Sequence, residues 1–238
     1  MTWDFLGGIA GMKPYVPSLL SFNGGFVDTA GFLALHGLFT AHVTGNFVTL
    51  GAAIALGTSG ILAKLLALPT FCVVVMLARI VGGKLPGLGA DRLRTLLLVK
   101  VALLAAGGGL AIAWGPFADG DAWQAIVTGM LLVSAMAIQN AVNRVHFAKL
   151  PPTTIMTGTS TQIMIDFADL LTGALRPDER SATLTRARML GKAILVFALG
   201  CLAAAGAYMI AGMSAFLLPP LVALAVAIAV QSATDPQA

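Results

Sequence analysis

The side chains with acid–base chemistry inside apolar stretches of the chain include Asp28 in segment 17–36, Asp166 in segment 155–174, and His42 at the start of segment 42–57. A carboxylate in an apolar interior is costly unless it is paired, protonated or hydrated. Histidine can change its charge near neutral pH. We therefore predict that these three residues carry a coupling proton. The structural alternatives are an Asp28 that bonds to a buried helix start and a His42 that only forms a hydrogen bond in the core.

A second group of polar residues stands at the start of two short apolar stretches. TAHVTGN, residues 40–46, aligns with TTIMTGT, residues 153–159, and superposes Thr44-Gly45 on Thr157-Gly158. Hydroxyls at a helix start can cap the helix or bind a solute, and the unpaired N–H groups there favour an anion. We predict a substrate-binding site at these starts, made of Thr44, Gly45, Asn46, Asn140, Thr157, Gly158, Thr159 and Gln162. The alternative is that the threonines only cap and pack, as small residues do between membrane helices.

The second of these stretches carries a polar face. Thr159, Gln162, Asp166 and Asp169 follow one another at spacings of three, four and three residues, so one side of a helix presents all four. Asp166 is therefore expected to line water or to meet a partner, whereas Asp169 is expected nearer the solvent.

The composition indicates that membrane helices position these residues. Of all residues 58% are hydrophobic and 10% are charged, and the mean hydropathy is +0.92, whereas soluble domains carry roughly 25% charged residues. The net charge of +4 comes from basic residues in short clusters between apolar runs. Such clusters are typical of juxtamembrane loops and argue against a nucleic-acid partner. The sequence has no metal-ligand cluster, nucleotide loop or nucleophile elbow, so we expect no enzyme, no metal and no cofactor.

Hydropathy marks eight apolar segments, and the basic residues decide how many of them cross the bilayer. The segments are 17–36, 42–57, 61–83, 93–115, 121–143, 155–174, 188–211 and 215–231. If all eight cross, the fourteen Lys and Arg residues divide evenly between the two sides, against the positive-inside rule. If segments 42–57 and 155–174 enter and return on one side, every basic residue except Lys64 lies on or near one side, opposite Asp119 and Asp121.

We therefore predict an all-α polytopic membrane protein with about six transmembrane helices and two short re-entrant or broken helices. The alternative is that both short segments are full spans that are tilted or broken.

The alignment of the two Thr-Gly motifs also predicts an internal duplication. Its period of about 113 residues divides one integrated membrane domain into a first half, residues 1–116, and a second half, residues 117–238. Three crossings in each half is an odd number, so the halves are expected to have opposite orientations, as an inverted 3+3 repeat with both termini in the cytoplasm. The identity is weak, and coincidence is the alternative.

Three stretches of the chain resemble a known family. GFVDTAGFLALHGLFTAHVTGN, QNAVNR and TTIMTGTSTQIMIDFADLL are similar to the YoaK-like bacterial membrane family, domain of unknown function 1275. The resemblance spans nearly the whole chain. It implies a six-span protein of the bacterial inner membrane and no particular substrate.

These predictions together favour a secondary transporter or permease for a small polar, anionic solute, coupled to protons. The expected partners are the lipid bilayer and the solute, and the sequence leaves a homo-oligomer open. One alternative is a passive channel built from two re-entrant helices. Another is a non-transporting assembly component, in which the polar stripe packs dry against another chain.

Overall fold

Helices make up all the regular structure in the part of the chain that the computed structural model describes, residues 13–84, 91–148, 150–154 and 156–234. A short 3₁₀ helix, Gly212–Leu217, joins the last two helices. In chain order the α-helices are α1 Val16–Ala34, α2 Gly45–Leu56, α3 Ile61–Lys84, α4 Asp91–Trp114, α5 Trp123–His146, α6 Thr157–Thr172, α7 Pro177–Ala211 and α8 Leu218–Thr234.

Several of these helices are long and apolar enough to cross a membrane. Four stretches qualify by length and composition: Ile61–Val81, Arg92–Trp114, Trp123–His146 and Pro177–Val230, the last of which contains both α7 and α8. In contrast, α2 has 12 residues and α6 has 16. At 1.5 Å per residue they rise about 18 and 24 Å, less than the roughly 30 Å of hydrocarbon. The prediction of a multi-pass helical membrane protein with two short helices is confirmed at this level.

Helix α7 begins earlier than hydropathy predicts. The apolar segment starts near residue 188, but the helix starts at Pro177. Proline suits the first helical position because its missing N–H would be unpaired there. Glu179 accepts a hydrogen bond from the Arg176 backbone N–H at 3.1 Å, which is the N3 side-chain half of a capping box. The additional turns add a polar stretch, residues 177–187, to the start of the helix.

The packing pattern of the first four helices is repeated by the last four. Helix α1 packs on α7, and its counterpart α5 packs on α3; α4 packs on α5, and α8 packs on α1; α2 packs on α3, and α6 packs on α7. Contacts between α4 and α8 and between α1 and α5 join the two sets. Two similar halves predict this arrangement. When each of α1–α4 is replaced by its counterpart among α5–α8, and the reverse, each of the paired contacts named above becomes the other member of its pair.

Helices α1 and α7 approach each other closely through glycines. A Cβ atom on Gly25 would meet the Phe197 carbonyl oxygen, and one on Gly200 would meet the Phe22 carbonyl oxygen. Small residues let membrane helices pack backbone to backbone. The α1–α7 contact therefore depends on both glycines.

Three chain segments meet at one end of the bundle, which we call the loop end. His36, just after α1, donates from Nε2 to the Phe117 carbonyl at 2.9 Å and accepts from the Ser59 hydroxyl at 3.0 Å. Ser59 Oγ in turn accepts the Gly120 N–H at 3.0 Å. The end of α1, the α2–α3 loop and the α4–α5 loop are thus bonded together. At the opposite end, one apolar cluster includes Val16 of α1 and Val230 of α8.

The loop end also caps α3 from a distance. The Asp121 carboxylate accepts N–H groups from Gly60 at 2.9 Å, Ile61 at 3.1 Å, Leu62 at 2.7 Å and Ala63 at 3.4 Å. These are N–H groups that have no partner within the helix. Burial raises the pKa of Asp121, but the four backbone bonds outweigh burial and lower it below its ordinary value. The ionised carboxylate is therefore favoured in the folded chain.

Replacing this cap is expected to destabilise the fold. Asp121→Ala should cost about 2 kcal/mol, the upper range for a helix cap, and lower Tm by about 4–8 °C, measured by tryptophan fluorescence in detergent. Because the folded-state pKa is depressed, the stabilisation is present above the unfolded pKa of about 3.9 and lost as pH falls through the folded value. The difference from wild type should therefore shrink at acid pH. Asp178→Ala, which removes an exposed carboxylate, is the control; an equal Tm loss in both variants would contradict the assignment.

The glycine contact makes a second prediction. Gly200→Val should abolish a monodisperse peak in detergent gel filtration or lower Tm strongly, because its neighbours are backbone atoms that cannot turn aside. Gly206→Val is a matched control on the same helix, since a Cβ atom at Gly206 meets nothing within 4 Å. Similar behaviour of the two variants would rule out the close contact as the cause.

Candidate functional site

The first polar cluster closes the break between α1 and α2, residues 35–44, which we call the first break. Asp28, 4% exposed, accepts the N–H groups of Thr40 at 2.8 Å and Ala41 at 2.7 Å on Oδ1. Its Oδ2 lies 2.6 Å from His42 Nδ1. The chain thus returns from the end of α1 to the depth of Asp28 before α2 begins. Asp28 is therefore bonded to the backbone just before α2, as the structural alternative predicts. It also has His42 as a partner.

Asn46 fixes the shape of the first break. Its side chain accepts the Phe39 N–H at 2.9 Å and donates to the Phe39 carbonyl at 2.8 Å, and it is 1% exposed. Both ends of the amide group are occupied by backbone. The geometry gives Asn46 a structural role, and its predicted contact with solute stays a prediction.

A cavity of about 570 Å³ opens beside the first break. We call it the first cavity. The His42 ring meets the Phe197 ring edge to face, with centroids 5.6 Å apart. The lining is formed by Asp28, Thr29, Phe32, Phe39, His42, Thr44, Gly45, Phe197 and Cys201. Of the predicted site residues, Thr44 and Gly45 thus share this cavity with Asp28 and His42.

The second polar cluster closes the break between α5 and α6, residues 147–156, the second break. Here amides take the place of Asp28. Gln139 donates to the Thr153 hydroxyl at 3.0 Å and to the Leu20 carbonyl at 2.9 Å. Asn140 accepts the Thr154 hydroxyl at 2.7 Å. Thr153 aligns with Thr40 of the first break, so both halves use a polar residue of the preceding helix to hold the break at the depth of that residue.

Asp166 on α6 has a strong partner on α7. Its carboxylate, with no exposed surface, accepts two bonds from Arg186, at 2.9 Å from Nε and 2.6 Å from Nη2. Gln162 adds a third bond at 2.8 Å. Paired contacts of this kind give both charge compensation and fixed geometry. The prediction that Asp166 lines water or meets a partner is satisfied by an ion pair.

A cavity of about 420 Å³ lies between α5, α6 and α7, and we call it the solute cavity. The N-cap residue Met156 makes no side-chain cap hydrogen bond at the start of α6, which lies beside this cavity. A Cβ atom at Gly158 would meet nothing within 4 Å, so the helix start is accessible. The lining consists of Asn140, Asn143, Arg144, Pro152, Gly158, Thr159, Gln162, Arg186 and Leu190.

The predicted substrate-binding residues are divided between two cavities. Four of them, Asn140, Gly158, Thr159 and Gln162, line the solute cavity. Thr157 is exposed at the start of α6 and is not part of that lining. Thr44 and Gly45 line the first cavity. The two helix starts therefore belong to separate cavities in this conformation instead of facing each other across one site.

One face of α7 connects the two cavities. Arg186 and Leu190 line the solute cavity, and Phe197 and Cys201 line the first cavity. The spacings of four, seven and four residues keep all four on one side of the helix. Leu190 and Phe197 are separated by about 10 Å along the axis.

Two basic residues of this region were not predicted as site residues. Arg186 lies in a stretch that hydropathy assigns to a loop, and only the capping residues at 176–179 signal that it is helical. Lys100 enters the prediction only as one of the basic residues on or near one side of the membrane. It has no exposed surface, lies within α4 and donates to Gln139 Oε1 at 2.5 Å. In the described residues no group of three or more His, Cys, Asp and Glu side chains could bind a metal.

Comparison with known proteins agrees with the resemblance of the sequence motifs. The family model described as "Protein of unknown function (DUF1275)" matches residues 16–229. No curated protein and no solved structure matches the chain. The match covers all eight helices, the last of them up to residue 229.

The Asp166–Arg186 pair can be tested by a double-mutant cycle. Arg186→Gln leaves a buried carboxylate without its cation and should cost about 2 kcal/mol, less than a fully buried pair because Arg186 is half exposed. Asp166→Asn in the same chain removes that charge, so the double variant should be more stable than Arg186→Gln alone. Chemical or thermal unfolding in detergent measures both. Arg188→Gln, at an exposed position, is the control; additive losses would mean that the pair is not coupled.

Proposed function

Since the chain belongs to the family described as protein of unknown function (DUF1275), which names no activity, we propose from the site itself that it is a secondary transporter for a small polar anion. The supporting observation is the solute cavity. Two arginines, two asparagines, a glutamine and a threonine line it beside an uncapped helix start. Cationic side chains and the N-terminus of a helix both favour an anion.

The proposed membrane arrangement has six spans, α1, α3, α4, α5, α7 and α8. Its support comes from the ends of the short helices. Helix α2 starts at the depth of Asp28, and the α2–α3 loop is bonded to His36 at the end of α1. Helix α2 thus enters and returns on one side. Helix α7 ends where Met213 packs beside Gly115 of the loop end, so its start, and with it the end of α6, lies at the opposite end.

The orientation is proposed from charge. The loop end carries Asp119, Asp121 and Lys64, while Arg79, Arg144 and Arg176 lie toward the other end. The positive-inside rule places this other end in the cytoplasm of a bacterial inner membrane, with both termini. Since α1 starts and α5 ends at the cytoplasmic end, corresponding helices run in opposite directions. That relation is the inverted repeat that the sequence predicts.

In the proposed cycle the anion competes with Asp166 for Arg186. The guanidinium bonds Asp166 through Nε and Nη2, and its side chain is 51% exposed. An anion in the solute cavity can therefore approach Arg186 and Arg144 together. Loosening of the Asp166 pair would free α6 to move against α7 and expose the solute to the first cavity.

The His42–Phe197 contact is proposed to separate the two cavities. It lies at the first break, where Asp28 orients the imidazole through Nδ1. A proton-carrying role for Asp28, Asp166 or His42 stays a prediction from the sequence. Both carboxylates accept several hydrogen bonds, Asp28 from the first break and Asp166 from Arg186 and Gln162.

Transport by purified protein in liposomes tests the proposal. A panel of small carboxylates and inorganic oxyanions, each as a labelled compound, should include one that is accumulated against its gradient with saturable kinetics. Arg144→Gln and Gln162→Ala should each lower its uptake about tenfold, the effect of losing about 1.4 kcal/mol of binding. Arg188→Gln should leave uptake unchanged. Uptake that is linear in concentration and never uphill would indicate a channel, and no uptake of any anion would refute the proposal.

A further inference from the structure

Among the buried ionisable side chains that the structure describes, Lys100 has the fewest neighbouring groups that could compensate its charge. It lies on α4 with no exposed surface. Among the described residues no carboxylate lies within ion-pair distance of it, and its described hydrogen bond is the one to Gln139 Oε1 at 2.5 Å. A charged ammonium group can donate three hydrogen bonds. An ionisable group in such a place is a functional candidate, because a membrane interior penalises an uncompensated charge.

Among the side chains that the structure describes, those of the elements packed on α4 supply no counter-charge to Lys100. Helix α8 and the 3₁₀ helix, both packed on α4, contain no titratable residue. The titratable residues of the other helices packed on α4 and of α4 itself are Lys64, Cys72, Arg79, Lys84, Arg144, His146, Asp91, Arg92 and Arg94. Apart from Lys84 and Asp91, whose side chains the structure does not describe, none of these residues is acidic. Asp28 on α1 is bonded to the first break instead.

Two hydrogen bonds on one side of the Thr153–Thr154 peptide bond and one on the other connect Lys100 to the solute cavity. Gln139 accepts from Lys100 and donates to Thr153 of the second break. The next residue, Thr154, donates to Asn140 at 2.7 Å, and Asn140 lines the cavity. The orientation of the Gln139 amide is fixed, because its nitrogen also donates to the Leu20 carbonyl. Only Oε1 can face Lys100.

A second buried amide marks this region as polar and incompletely satisfied. Asn23, 1% exposed, has no hydrogen-bond partner for either side-chain atom. The adjacent Gly24 packs against Gln139, with 3.3 Å between the position of a Cβ atom and Nε2. Buried polar groups without partners are rare and mark strained or functional sites.

We propose that Lys100 binds the coupled proton, and that its charge controls anion binding in the solute cavity through Gln139 and the second break. The inference rests on the proposed transport of an anion. With a neutral amine, Lys100 adds no charge to the core. When Lys100 takes up a proton, the added positive charge favours an anion in the neighbouring cavity, since charges interact strongly where water is excluded. By linkage, anion binding favours proton uptake to the same extent.

The proton-binding step can be tested without a solute. The chain has six lysines, whose Nζ signals can be followed by ¹⁵N NMR of lysine-labelled protein in detergent micelles. The signal that is absent from Lys100→Met should titrate in a pH range of its own, apart from the signals of the other five lysines. Titration of Lys100 together with the other lysines would overturn the proposal. Lys64→Met is the control and should leave the Lys100 signal unchanged.

Gln139→Glu gives a second, independent readout. A carboxylate at this position supplies the missing counter-charge, so Lys100 should remain protonated across the same pH range. In liposomes that transport an anion, Lys100→Met should abolish anion-dependent proton uptake, measured with a trapped pH dye. Persistence of proton uptake would overturn the coupling role. If no anion is transported by wild type, the transport proposal fails, while the NMR titration still decides whether Lys100 exchanges a proton.

Discussion

The need to satisfy backbone groups inside the membrane governs this structure. Two segments leave the helical conformation inside the apolar bundle, at the level of Asp28 and of Gln139, and their backbone groups need partners there. Asp28 accepts the N–H groups of the first break, and Gln139 and Asn140 hold the threonines of the second. These side chains set the depth at which α2 and α6 begin. The short helices, the cavities beside them and the polar lining all follow from the position of the breaks.

Helix α7 lies beside the cavities at both breaks. It packs on α1 through glycines, carries the cation that compensates Asp166, and lines both cavities with one face. A rotation or shift of α7 would therefore change both cavities together. The two breaks are held by different side chains. An acid and a histidine bond in the first break, and amides and hydroxyls bond in the second.

Much of this arrangement follows from the sequence because it depends on local pattern. Apolar runs predict the long helices, and the Thr-Gly motifs predict the starts of α2 and α6 to within one or two residues. Contacts between distant segments are less accessible to this reasoning. Arg186 lies 20 residues after Asp166, beyond a turn whose geometry fixes their meeting. The burial of Lys100 depends on which face of α4 packs against α5, and the sequence pattern does not show that face. Asn46 looks like a ligand for solute, but the shape of the first break turns its amide to Phe39.

The hydrogen bonds that join His36, Ser59, Phe117 and Gly120, with the Asp121 cap beside them, make the two ends of the molecule mechanically unequal. A rocking motion of α3 against α5 keeps those bonds only if the helices pivot at the loop end. The loop end would therefore be the pivot of such a motion. Displacement then grows with distance from it, and the widest opening falls at the end that carries the arginines. In the proposed transport cycle, a gate on the loop-end side would instead open by local rotation of side chains such as the His42 and Phe197 rings.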